Sequence, residues 1–140
     1  MKLSMAEILL NIGKLPTHDQ KVQAFKQNYS IPFGALLKMA FDPTLVWDLP
    51  KSDPPYKPSD QLDGENLLFT EAKKLYYFHV DGYPGLKQAK KQQMFVEVLE
   101  AVSPNDAIFL LAVRNKNLPE KFPGITKSII DEAYPGLLVY

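Results

Sequence analysis

The sequence predicts an all-α fold: a single compact domain over residues 1–140, about seven helices, with a proline-rich extended strap after the third. Three observations carry this. Apolar residues recur at i, i+3 and i+4 rather than in alternation. Capping residues stand where these runs begin, and Gly or Pro follows where they end. Five of the 12 prolines (Pro43, Pro50, Pro54, Pro55, Pro58) fall in one stretch that no helix can cross. The length suits one domain and can bury a core without staples. A hydrophobic share of 46% with 23% charged residues is too apolar for disorder.

Ile8, Leu9 and Ile12 share one face of a first helix, residues 6–12, with Gly13 as its C-cap and Pro16 beyond. Thr17 caps a second, with Gln20 in the capping-box position and Val22 and Phe25 as core positions. A third spans residues 32–41, with Pro32 in its first turn. Residues 42–63 form the strap. Leu45, Val46, Trp47 and Leu49 pack on the helices, and residues 51–63 are its exposed part. The periodicity predicts a helix over residues 67–80, with Leu68, Ala72, Leu75, Tyr76 and His79 on one face. Residues 86–101 form the clearest amphipathic helix, with Met94, Phe95, Val98, Leu99 and Val102 inward. Ser103, Pro104 and Asp106 start the next, whose apolar run over residues 107–113 makes it central. A loop with Pro119 and Pro123 leads to a last helix over residues 127–133, capped by Thr126 and ended by Pro135-Gly136. The predicted core is Phe25, Leu36, Leu75, Tyr76, Phe95, Val98, Leu99, Ile108, Leu111 and Ile130.

Composition excludes several functions. There are no cysteines, hence no disulfides or thiolate metal sites, and a reducing cytoplasm is the expected compartment. The first 15 residues lack the apolar region and cleavage site of a leader, and no apolar run approaches the roughly 20 residues that span a bilayer. His18 and His79 are the only histidines, and neither has a partner at metal-ligand spacing. Phosphate-loop, dinucleotide and nucleophile-elbow motifs are missing. Lys51-Ser52-Asp53-Pro54 lacks the glycine of a nucleotidyltransferase lysine motif. No catalytic residue, metal or cofactor is expected.

Net charge is zero, from 16 basic and 16 acidic residues, but the charges segregate. The strap holds five aspartates against Lys51 and Lys57, whereas residues 87–127 hold seven basic residues against four acidic. Lys87, Lys90 and Lys91 crowd the start of a helix, where the macrodipole disfavours cations. Breaking that local rule points to a partner, a solvated face being the other reading. Gly124-Ile125-Thr126-Lys127 would let a backbone approach and opens a helix whose free N–H groups suit an anion, a DNA phosphate among the candidates. Gly-x-Thr is also an ordinary helix-start device. Lys116 and Lys121 lie nearby in sequence.

Lys116-Asn117-Leu118, Gly124-Ile125-Thr126 and Tyr134-Pro135-Gly136-Leu137-Leu138 follow one another in an order that resembles the close of the N-terminal helical DNA-binding domain of phage-type ATP-dependent DNA ligases. Residues 8–12 and Gln20-Lys21-Val22-Gln23-Ala24 are similar to its opening, and residues 40–50 to the turn after its third helix. The stretch over residues 119–123 is longer than in the ligases, and Asn117 stands where they have aspartate. The resemblance implies an all-α domain that grips duplex DNA by its sugar-phosphate backbone across the minor groove. The matched motifs would supply Lys116, Asn117, Gly124, Ile125 and Thr126 as contacts, and the charge reading adds Lys87, Lys90, Lys91 and Lys127. With only 140 residues there is no room for the ligase catalytic domain, so ligation is not implied.

Phe41-Asp42-Pro43 and Pro54-Pro55-Tyr56-Lys57-Pro58 also resemble a family of small uncharacterised proteins from T-even-like phages and cyanophages. This implies a phage protein in the cytoplasm of an infected host, or one carried in the virion. The alternative function is a protein–protein module that keeps the fold without DNA binding. It would meet a host or phage protein through Trp47, Pro54, Pro55 and Tyr56.

Overall fold

A computed structural model describes residues 4–47, 49, 54–57, 68 and 87–138. Its fold is all-α, with seven helices among the described residues: α1 (Met5–Gly13), α2 (His18–Gln27), α3 (Ile31–Phe41), α4 (Gln88–Ala101), α5 (Pro104–Asn115), α6 (Leu118–Lys121) and α7 (Lys127–Ala133). Of the helix predicted over residues 67–80, Leu68 is described and fully buried; the rest, with Leu75, Tyr76 and His79, lies outside the described residues.

Short polar side chains start most of these helices, as their chemistry requires. The hydroxyls of Ser4, Thr17, Ser30, Ser103 and Thr126 each accept the backbone N–H three residues on. Pro32 and Pro104 occupy first turns, where the missing N–H costs nothing. Two local expectations give way to tertiary causes. Gly13 is still helical, and α1 is capped by Lys14 in right-handed conformation. The loop expected at Pro119 contains α6, because a proline in a first turn does not break a helix.

α1, α3, α4 and α6 all pack on α5, while α7 packs on α2. The central place of α5 agrees with its apolar run. Phe25, Leu36, Phe95, Val98, Leu99 and Ile130 are buried as predicted. Ile108 is 41% exposed and Leu111 half-buried, against expectation. Pro104, Ile108, Leu111 and Asn115 form a stripe at i, i+4, i+7 and i+11 that faces away from the core. Asp106 serves two helices: its N–H caps onto Ser103, and its buried carboxylate accepts the N–H of Ala6 at 2.8 Å, in the first turn of α1.

Candidate nucleic-acid interface

The turn between α6 and α7 is shaped by what it packs on. Phe122 is buried edge-on against Phe109, with ring centroids 5.9 Å apart. The Ile125 N–H returns to the Phe122 carbonyl at 3.2 Å, and the Ile125 side chain is fully buried. Gly124 has φ +92°, which favours glycine. The end of α1 presses on this turn. A Cβ on Gly13 would lie 2.5 Å from the Pro123 carbonyl oxygen, and one on Gly124 would lie 2.7 Å from the Gly13 oxygen. The two glycines therefore allow one backbone-to-backbone contact. From α2, the Lys21 ammonium donates to the Gly124 carbonyl at 3.1 Å.

The far end of α7 is fastened to α2. The Tyr134 hydroxyl donates to the Phe25 carbonyl at 2.6 Å, and its ring meets Phe25 and Tyr29 edge-on. Burial, then the neighbouring Tyr29, pushes the Tyr134 phenol well above its ordinary range. Gly136, at φ +87°, lets Leu137 N–H reach the Tyr134 carbonyl at 3.1 Å. At the near end of α2, His18 meets Glu132 of α7, both side chains about half exposed.

Several predicted contacts are placed elsewhere than expected. Lys87 and Lys90 are exposed at the start of α4, but Lys91 is 1% exposed, because it turns onto the buried face of the helix, and reaches no surface ligand. Lys116 follows α5 in left-handed conformation, and its ammonium donates to the carbonyls of Met39, Asp42 (3.0 Å) and Leu45 (2.6 Å). The residue is exposed, but its ammonium is engaged by carbonyls at and beyond the end of α3. Desolvation lowers its pKa, opposed by Asp42. Asp42 itself is buried and held below the usual carboxylate range, chiefly by the Thr44 hydroxyl.

Asn117 is half-buried. Gly124 and Ile125 serve the internal contact, so the close backbone approach read from the sequence is intramolecular. Thr126 is exposed and acts as the helix cap: its hydroxyl accepts the N–H of Ile129 and its carbonyl that of Ile130. Lys127 is exposed and pairs with Asp131 at 3.1 Å, an i, i+4 pair worth about 0.3–0.5 kcal/mol.

The alternative contact surface changes as well. Trp47 is 7% exposed and stacks edge-on against Phe95 at 5.7 Å, as expected of a strap packed on helices. Pro54 is buried, and the Lys57 N–H donates to the Glu100 carboxylate at 2.7 Å. The strap is thus pinned on α4 here; of the predicted contacts Pro55 is exposed, and Tyr56 is half-buried and packs against the core.

What local sequence could not supply is the grouping around the Gly13–Gly124 contact. Lys14, at the end of α1, is exposed; Lys121 and Lys127, before and after the turn, are exposed; Lys21 reaches in from α2. These lysines come from three separate parts of the chain, joined only by folding.

Among the described residues no group of three His, Asp or Glu could hold a metal ion, and no helix is long and apolar enough to cross a membrane. The profile of a family of unknown function (DUF6433) matches residues 8–120. No curated protein and no solved structure matches the chain.

Proposed function

The chain belongs to this family of unknown function, and we propose that it is a non-catalytic module that binds duplex DNA through the sugar-phosphate backbone without sequence preference. The observation that carries the reading is the convergence of exposed Lys14, Lys121 and Lys127 around the Gly13–Gly124 contact. The two acidic residues of α7 are engaged, Asp131 by Lys127 and Glu132 by His18, while Glu120 beside Lys121 is exposed. Lysines are point charges that hold phosphates without reading bases. The one arginine, Arg114, donates to Asn115 beside it at 2.7 Å, which leaves no ready bidentate reader of guanine. Lys87 and Lys90 form a separate basic end that would lengthen the footprint. The ligase-like order of motifs supports the same reading, on which the protein would be an accessory factor of a phage in the host cytoplasm.

The test is a titration of the pure protein against nicked and intact duplex at low salt. Binding that weakens steeply with salt and ignores sequence is the expected result. No binding at tens of micromolar removes the reading.

One observation favours a protein partner instead. Tyr29 is 54% and Ile31 79% exposed, beside Tyr134 and the exposed Pro135. An apolar patch of this kind suits a protein contact. On that reading a Tyr29→Ser, Ile31→Ser double variant loses a partner while Lys121→Glu, Lys127→Glu keeps it; on the DNA reading the effects are reversed.

A further inference from the structure

We infer that Lys21 seats a phosphate oxygen of the bound strand, a contact beyond the exposed lysines and one that rests on the DNA reading above. Lys21 differs from the other cations of this region. His18 has Glu132 and Lys127 has Asp131, whereas the Lys21 ammonium has one hydrogen-bond acceptor among the described residues, the neutral Gly124 carbonyl at 3.1 Å. It is half-buried, so it has given up part of its hydration without gaining a counter-charge. An ammonium has three donors and a single carbonyl lone pair uses one. A charge-assisted bond to an oxyanion is the contact that would compensate it best.

The turn also keeps the space such a contact needs. A Cβ at Gly124 would stand 2.9 Å from the Lys21 nitrogen and displace it. The glycine at φ +92° therefore both admits the α1 backbone and leaves the ammonium in place. Lys14, next to Gly13, and Lys121 and Lys127, three residues before and after Gly124, are exposed, so a strand held at this turn would meet Lys21. A phosphodiester has the required chemistry: one negative charge, shared between two unesterified oxygens, with no demand for planar bidentate geometry.

The experiment compares wild type, Lys21→Gln and Lys21→Arg in titrations of a labelled duplex over a salt series, with circular dichroism and melting of each free protein to establish folding. Removing one phosphate contact lowers the magnitude of the salt slope by about one and weakens binding severalfold at low salt. We expect this of Lys21→Gln, whereas Lys21→Arg keeps the wild-type slope. A folded Lys21→Gln protein that binds with the wild-type slope overturns the inference and leaves Lys21 a tether of the turn, with the DNA reading intact. Should Lys21→Gln not fold, Lys21→Met, which keeps the aliphatic stem and removes the charge, takes its place, and a folded Lys21→Met protein with the wild-type slope overturns the inference equally. A wild-type protein that binds no duplex at tens of micromolar removes the DNA reading and this contact with it.

Discussion

Replacing Gly13 by alanine separates what the sequence suggests from what the packing dictates. Gly13 closes α1 with no left-handed conformation, so alanine there should gain about 0.5–1 kcal/mol from helix propensity and reduced unfolded-state entropy. The fold predicts the opposite. The new Cβ would lie 2.5 Å from the Pro123 carbonyl oxygen, and that oxygen is backbone, in a turn held by the buried Phe122 and Ile125. No side chain can swing away, so α1 or the turn must shift. Overpacking of this kind costs about 1–3 kcal/mol. Set against the propensity gain, Gly13→Ala should destabilise by about 1–2 kcal/mol. For a chain of this size that lowers Tm by roughly 3–8 °C. Gly136→Ala is the control: its φ of +87° costs an alanine about 1 kcal/mol, and nothing lies within 4 Å of the new methyl. Thermal melting and urea unfolding measure both. A Gly13→Ala protein as stable as wild type, or more so, refutes the contact on which the candidate site is built.

Other consequences follow from the same contacts. Lys116→Met should cost about 1–2 kcal/mol in urea unfolding, because the carbonyls of Met39, Asp42 and Leu45 lose the ammonium, Asp42 keeping only the Leu45 N–H; an unchanged midpoint would mean the ammonium does not hold the end of α3. Trp47→Ala should cost about 3–5 kcal/mol or prevent folding, as expected for a buried ring packed on Phe95 and not for a surface contact residue; a fully stable variant would contradict this. Tyr134→Phe should cost about 1 kcal/mol near neutral pH, since the Asn28 N–H still serves the Phe25 carbonyl at 3.1 Å. Because folding raises the Tyr134 pKa, its contribution is complete below the unfolded value near 10 and is lost as pH rises above it. The gap between wild type and Tyr134→Phe in Tm should therefore narrow at alkaline pH, and a gap that widens there would reverse the assignment.

Local chemistry made much of the fold legible. Thr17, Ser103 and Thr126 cap where their position before apolar runs says they should, and the run over residues 107–113 lies at the centre because nothing else could cover it. What the sequence hid is long-range. Lys116 reads as an outward lysine until α3 brings the carbonyls of Met39, Asp42 and Leu45 to it, more than 70 residues away in the chain. Gly124 reads as an opening for a ligand backbone until Gly13 fills it. Lys91 has the same charge as Lys87 and Lys90, but the helix phase turns it inward. The closing motif likewise acquires a physical role: Tyr134 fastens α7 to α2 and so holds one wall of the lysine cluster.

The most direct test of the account is fluorescence anisotropy of a labelled duplex across a salt series. Wild type is compared with a variant in which Lys14, Lys121 and Lys127 are all changed to Glu. The account predicts wild-type binding whose logarithm falls linearly with log salt, with a slope of about −0.9 for each phosphate held, equal affinity for unrelated sequences, and loss of binding in the folded variant. A wild-type protein that leaves the duplex untouched at low salt, or a variant that binds as wild type does, contradicts it.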